Sequence, residues 1–201
     1  MFPTTFLEPG VVQAHSAPVA GILDVGRYPS GVDATARRVA SALGGASFVA
    51  EARPDIMRWK YRKLLMNLGN AVEAICGPAA RGGEIDCRAQ AEGAACLDAS
   101  GIDVVSVEDD AARRGDMVRQ LPVAGRSRQG GSSWQSLHRR AGSIETDYLN
   151  GEVVLLGRLH RVPTPVNGLL QRLAGELART GRPPGSYPAD RLLAALPSSP
   201  A

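Results

Sequence analysis

The sequence predicts a mostly α protein, a helical domain preceded by a small α/β segment. Three observations carry that expectation. Up to about residue 52 short apolar runs alternate with turn residues around one amphipathic stretch, the pattern of strands flanking a helix. From Pro54 onward apolar residues recur at intervals of three and four, the period of buried helix faces. At 201 residues, 44% apolar and 21% charged, the chain can bury a core of its own.

In the first segment, Val11-Val12-Gln13-Ala14 and Gly21-Ile22-Leu23-Asp24-Val25 read as strands, Asp33 to Leu43 as a helix and Ala46 to Ala50 as a further strand. Together they predict a βαβ-like patch too small to stand alone. Pro54 suits a first helical turn, and the segment through Ile75 reads as a major helix. On it Met57, Tyr61, Leu64, Leu65, Leu68, Val72 and Ile75 share one face, while Trp59, Lys63, Asn67 and Asn70 share the opposite one.

Helices are expected near 84–99 and 107–115, after a Gly/Arg/Ser loop from Ala124 to Ser132, and from Ser143 to about His160 with Ser143 as its cap. Thr164-Pro165 is a cap and first-turn pair for a last helix, in which Val166, Leu169, Leu170, Leu173 and Leu177 form the apolar stripe. The expected domains are an α/β segment at 1–52, a helical domain at 53–180 and a flexible Pro/Ser/Gly-rich tail at 181–201, with one turn at Leu192 to Leu196.

The net charge of +3 is spread along the chain and aromatics make up 4%, which argues against a nucleic-acid surface. No run is long enough to span a bilayer and no leader pattern opens the chain, so a cytoplasmic protein without a membrane partner is expected. Cys76, Cys87 and Cys96 are odd in number and lack C-x-x-C spacing, and His15, His138 and His160 lie far apart, so no metal site is expected. Ser133, His138 and Asp147 lack the G-x-S-x-G elbow of a hydrolase.

Three constellations remain. Among 23 basic residues the two lysines, Lys60 and Lys63, both fall in Arg58-Trp59-Lys60-Tyr61-Arg62-Lys63, and an amine can be tuned to give up a proton where a guanidinium cannot. Lys63, Asn67 and Asn70 at helical spacing form a surface able to hydrogen-bond a polyoxygenated small molecule, although a solvated helix face explains the same polarity. Gly130-Gly131-Ser132-Ser133 leads into a helix start that suits either an anion or ordinary capping. In Ser143-Ile144-Glu145-Thr146-Asp147 the carboxylates of a first turn are explained by the helix dipole alone.

Taken in order, Arg62-Lys63-Leu64-Leu65-Met66-Asn67, then Ser132-Ser133, then Glu145-Thr146-Asp147-Tyr148-Leu149-Asn150-Gly151, then Pro163-Thr164-Pro165-Val166-Asn167 resemble the ketopantoate reductase (2-dehydropantoate 2-reductase) family. The resemblance implies a helical domain of the 6-phosphogluconate dehydrogenase C-terminal kind, preceded by the end of a Rossmann nucleotide domain. It implies an oxidoreductase that uses NADPH to reduce 2-dehydropantoate or a related 2-keto acid. Lys63 matches the general acid and Glu145 the carboxylate that orients the substrate hydroxyl, with Asn67 and Ser133 as substrate contacts and Asn70 beside them.

Two positions depart from the family pattern. Its second asparagine, followed by Pro, is Ala71-Val72 here with Asn70 one residue early, and an aspartate four residues after the matched serine is Leu137; both widen the expected substrate class. No G-x-G-x-x-G turn occurs, so residues for the cofactor pyrophosphate are not assigned and weak NADPH binding by the isolated chain is expected. The expected partners are then a 2-keto acid together with a separate Rossmann domain or a homodimer mate. The alternative is a non-catalytic helical dimerisation or interaction module.

Overall fold

The computed structural model describes residues 1–196. In chain order the elements are β1 (Thr4–Thr5), β2 (Gln13–Ala14), β3 (Ser16–Pro18), β4 (Gly21–Ile22), α1 (Ala34–Gly45), β5 (Phe48–Val49), α2 (Ile56–Cys76), α3 (Glu84–Ala99), α4 (Val107–Arg114), β6 (Val118–Gln120), α5 (Ser132–His138), α6 (Asn150–His160), α7 (Pro165–Thr180) and α8 (Ala189–Ala194). Tight 3-10 turns occupy Pro78–Ala80 and Glu145–Tyr148. The chain groups into two compact units, the first Met1–Lys63 with Val104–Gln129, the second Leu64–Asp103 with Gly130–Ala201.

The first unit contains the expected βαβ patch. Strands β4 and β5 pair in parallel with Gly21 opposite Phe48 and Ile22 opposite Val49, and α1 forms the crossover. Asp33 caps α1, its Oδ1 accepting the Ala36 N–H at 2.8 Å. The other ladders are short and antiparallel, β1 with β2 and β3 with β6. So few ladder bonds bury little, and charge does part of the holding. Asp24 Oδ1 accepts from the Glu51 N–H (2.9 Å) and Arg113 Nη2 (2.8 Å), and Oδ2 accepts from Arg53 Nε (3.0 Å) and Arg113 Nε (3.1 Å). Burial alone would raise this carboxyl, but the bonds from Arg113, Glu51 and Arg53 outweigh it and hold Asp24 below the ordinary value of 3.8.

The second unit is a helical bundle built on the latter half of α2 with α3, α6 and α7. Its core comprises Leu65, Leu68, Val72, Ile75, Ala89, Leu97, Val153, Val166, Leu170 and Leu177, of which Leu65, Leu68, Val72, Ile75, Val166, Leu170 and Leu177 lie on the stripes that helical periodicity selects. Close approach is bought by glycine: a Cβ on Gly93 of α3 would sit 2.8 Å from both Leu65 and Leu68 of α2. Within this core lies a buried amide lock. Asn150 Nδ2 donates to Asn167 Oδ1 (2.9 Å), while Asn167 Nδ2 donates to the Ala89 carbonyl (2.9 Å) and to Glu92 Oε2 (2.8 Å).

Several elements differ from the sequence expectation, each for a non-local reason. Thr164 stands at the N-cap of α7 without a capping side-chain bond; instead Glu92 of α3 accepts the Val166 and Asn167 N–H groups, both at 2.9 Å. A carboxylate there meets the helix dipole as well as two orphan donors, so the local cap is superseded. The helix expected from Ser143 is broken at Leu149 and α6 proper begins at Asn150, whose side chain is drawn inward by the amide lock.

The tail also differs. Gly185 and Tyr187 donate backbone N–H groups to the carbonyls of Ala74 and Ile75, and Leu192 of α8 is buried, so residues 181–196 are tied to the bundle; residues 197–201 of the expected tail lie outside the described residues. The expected cut after residue 52 differs from the observed grouping as well. The first turns of α2 stay with the first unit because Arg62 Nε donates to the Val105 carbonyl at 2.6 Å, and α4 joins it through Arg113 and Asp24.

Candidate functional site

Helix α2 is continuous from Ile56 to Cys76, so the stripe inferred from spacing exists as helix geometry. Its members have distinct surroundings. Trp59 is half-buried, with Nε1 donating to Asp55 Oδ2 at 3.3 Å and the Arg53 guanidinium 4.4 Å from the ring centroid, so this residue stabilises the start of the helix. Lys60 and Lys63 are exposed. Lys63 is the last residue of the first unit; Asn67, half-buried, lies one turn on in the second.

Asn70 is 8% exposed and is held by its own unit. Its Oδ1 accepts from Arg81 Nη1 at 2.6 Å, and its Nδ2 donates to Ser132 Oγ at 3.5 Å. Arg81 also donates to the Met66 carbonyl (2.8 Å) and lies 3.6 Å from Glu73 and 3.8 Å from Asp86. Asp86, buried, accepts from the Gly82 N–H and from Gln90, and Gly69 is the α2 residue that leaves room for its carboxylate. Glu73 then accepts the Gly131 N–H at 3.0 Å. The anion that the glycine pair attracts in this structure is thus a side chain of α2, one turn beyond Asn70.

This network fixes the strand of backbone that presents Ser133. Gly130 has φ +56° and no room for a Cβ against the Trp134 ring, which itself stacks on His138 with centroids 4.9 Å apart. Ser133 is 1% exposed, and its Oγ has no hydrogen-bond partner among the described residues. A buried hydroxyl without a partner is costly, and a bound oxygen-rich ligand would satisfy it. Glu145 is exposed at the start of the 3-10 turn, and among the described residues no hydrogen bond or ion pair joins it to Ser133 or Asn70.

Sequence reasoning missed Arg81, Glu73 and Glu92. Glu73 continues the stripe by three residues beyond Asn70 and was readable there; Arg81 and Glu92 act across sequence and left no local sign. Among the described residues no group of three His, Cys, Asp or Glu could hold a metal ion, and no helix is long and apolar enough to cross a membrane. The βαβ patch does not fit a dinucleotide: the Asp33 carboxylate accepts the Ala36 N–H in the first turn of α1, where a pyrophosphate would need free N–H groups.

Comparison with known proteins places this arrangement. A crystal structure of a ketopantoate reductase from Ralstonia eutropha superposes with a TM-score of 0.66 at 23% identity, covering 90% of this chain and 58% of that one. A D-mandelate dehydrogenase in complex with NADH superposes equally well, with a TM-score of 0.66 at 20% identity, covering 90% of this chain and 60% of that one. The fold is therefore one found in oxidoreductases. Residues 55–178 match the family described as "Ketopantoate reductase PanE/ApbA C terminal". The chain belongs to the ketopantoate reductase family. Among characterised relatives, the 2-dehydropantoate 2-reductase of Halobacterium salinarum is 30% identical over 184 residues, 87% of this chain and 56% of that protein, so the chain spans a little over half of its relative's length.

Proposed function

We propose that this chain supplies the substrate-binding and proton-donating part of a reductase that converts 2-dehydropantoate or a related 2-keto acid to the 2-hydroxy acid. The observation that carries the reading is that the family match, residues 55–178, contains all five candidate residues. Lys63 donates the proton to the carbonyl oxygen as the ketone carbon is reduced. Glu145 orients the substrate hydroxyl, and Asn67, Asn70 and Ser133 hold the acid. An exposed amine on a helix suits a donor that must reprotonate from water after each cycle.

NADPH, when bound, provides the hydride. Since the βαβ patch does not fit the dinucleotide, a separate Rossmann domain holds it, and this chain contributes the acid and the substrate contacts. Arg81 occupies the Asn70 carbonyl oxygen and Ser132 one hydrogen of its amide, so Asn70 acts through the other amide hydrogen.

The deciding experiment titrates the purified chain with NADPH and then adds a nucleotide-binding half in trans with 2-dehydropantoate. Weak NADPH binding alone and NADPH oxidation on addition, abolished by Lys63→Ala, are expected. Micromolar NADPH binding by the chain alone would overturn the division of labour. A second reading, a helical dimerisation or interaction module without catalysis, is favoured by the same lack of fit to the cofactor. It requires that no nucleotide half restore reduction and that Lys63→Ala and Glu145→Ala leave self-association unchanged.

A further inference from the structure

The first unit contains a cavity of about 170 Å³ between the β1–β2 hairpin and the loop that follows β6. Two tight turns build its rim. On the hairpin side Pro9 and Gly10 are the central pair of a turn closed by the Val11 N–H, which donates to the Glu8 carbonyl at 3.1 Å, with Gly10 at φ +80°. On the loop side Val123 and Arg126 exchange backbone hydrogen bonds of 2.9 and 3.0 Å around Ala124 (φ 49°) and Gly125 (φ 74°), the positive pair of a type I′ turn. Arg128 ties this loop to the hairpin, its Nε donating to the Thr4 carbonyl at 3.3 Å. Glu8 opens the first turn and Arg126 closes the second, so the backbone fixes where both charged side chains begin.

The Glu8 carboxylate and the Arg126 guanidinium both line the cavity, yet among the described residues neither side chain has a hydrogen-bond or ion-pair partner. Opposite charges therefore share one small concave surface without meeting. Thr5 lines it as well; it is 5% exposed, and its Oγ1 has no partner among the described residues, a costly state for a buried hydroxyl. Leu7 and Val11 supply an apolar wall beside these groups.

A separated cation and anion with an apolar strip between the same walls complement a zwitterion that carries a short aliphatic group. A simple carboxylate would be drawn to Arg126 and repelled by Glu8, a simple amine the reverse, and a neutral molecule would cover both charges without pairing either. Size agrees, since a closed cavity of about 150 Å³ takes benzene and this one has its two charged residues exposed at the rim, leaving room for a molecule of about nine non-hydrogen atoms.

We propose that this cavity binds a small aliphatic α-amino acid, with its carboxylate on Arg126, its ammonium on Glu8, its side chain against Leu7 and Val11, and the Thr5 hydroxyl as a hydrogen-bond partner at the floor. The proposal does not depend on the reductase reading, because Lys63, Asn67, Asn70, Ser133 and Glu145 do not line the cavity.

Isothermal titration of the full chain with L-leucine tests it. A single site with a dissociation constant of about 1 mM or tighter is expected, a modest demand on a ligand of this size. Two analogues divide the charges: α-ketoisocaproate lacks the ammonium and isoamylamine lacks the carboxylate, and each should bind at least about tenfold more weakly. Glu8→Gln should abolish the preference for L-leucine over the keto acid, Arg126→Gln the preference over the amine, and Thr5→Val should weaken L-leucine several-fold. Glu8 and Arg126 are exposed, so circular dichroism of those two variants should match the parent, and they decide the matter even if Thr5→Val does not fold. No binding of L-leucine up to about 20 mM overturns the proposal. So does an analogue that binds as tightly as L-leucine, or an affinity for L-leucine that neither charge-removing variant changes.

Discussion

The two compact units are held by different chemistry. In the first, the buried apolar residues are Ile22, Ala36, Ala40, Ile56 and Val105, two of them alanine, and the strands are two or three residues long. Its organising centre is a charge hub, Asp24 between two arginines, with Glu51 beside them at 2.7 Å from Arg53 and 3.3 Å from Arg113. In the second, long helices bury leucine and valine around a neutral amide lock that ends in one carboxylate, Glu92. The contrast teaches that a scarcity of apolar surface is offset by a hub whose strength depends on protonation, whereas an ample core lets polar groups serve geometry. Each unit carries one tryptophan, Trp59 in the first and Trp134 in the second, so single-tryptophan variants report the units separately.

The largest effect is expected at the lock. Asn167→Ala leaves the Asn150 amide with only its longer bond to the Leu68 carbonyl (3.4 Å) and removes the side-chain bonds to the Ala89 carbonyl and to Glu92, which should cost about 3 kcal/mol in urea unfolding read by Trp134. An unchanged midpoint would mean that the helical core does not need its polar centre.

Asp24→Asn should cost about 2 kcal/mol, read by Trp59, since two arginines lose their counter-charge. It should also change the acid limb. Because folding lowers the Asp24 pKa, its contribution is full above the unfolded value near 3.8 and is lost as pH falls through the lower folded value. The parent protein should therefore lose Trp59-reported stability steeply below about pH 4, and Asp24→Asn should flatten that slope. Equal slopes in the two proteins would remove the hub from the account.

Glu92→Gln keeps an acceptor at the start of α7 but discards the charge, and about 1 kcal/mol is expected, again seen by Trp134. The smallest change is a gain. Arg161 ends α6 with φ 59°, a left-handed conformation that glycine adopts freely, so Arg161→Gly should raise stability by up to about 1 kcal/mol in a thermal melt.

The legible part of the molecule was that governed by neighbours in sequence. Helix α1, the run of α2 and the span of α3 follow from periodicity, and the family resemblance followed from short motifs in order between Arg62 and Asn167. What escaped depends on partners far along the chain. Glu92 overrides Thr164 from across the bundle, Asn150 breaks a helix that Ser143 would have started, and Ala74 and Ile75 capture a tail whose composition reads as loose. Within the candidate site, the types and order of Lys63, Asn67, Ser133 and Glu145 were readable, but the engagement of Asn70 by Arg81 was not, because a loop arginine has no periodicity to betray it.

The grip of Glu92 on the first amides of α7 also bears on how such a sequence can change over generations. Glu92 and Asn167 are 75 positions apart, yet they act as one inherited character. A relative that loses the glutamate should be found with a serine or aspartate at the position of Thr164, restoring a local cap, and with a different residue in place of Asn167. Substitution histories at these three positions should therefore be correlated, and a lineage that altered one alone would have passed through a less stable intermediate.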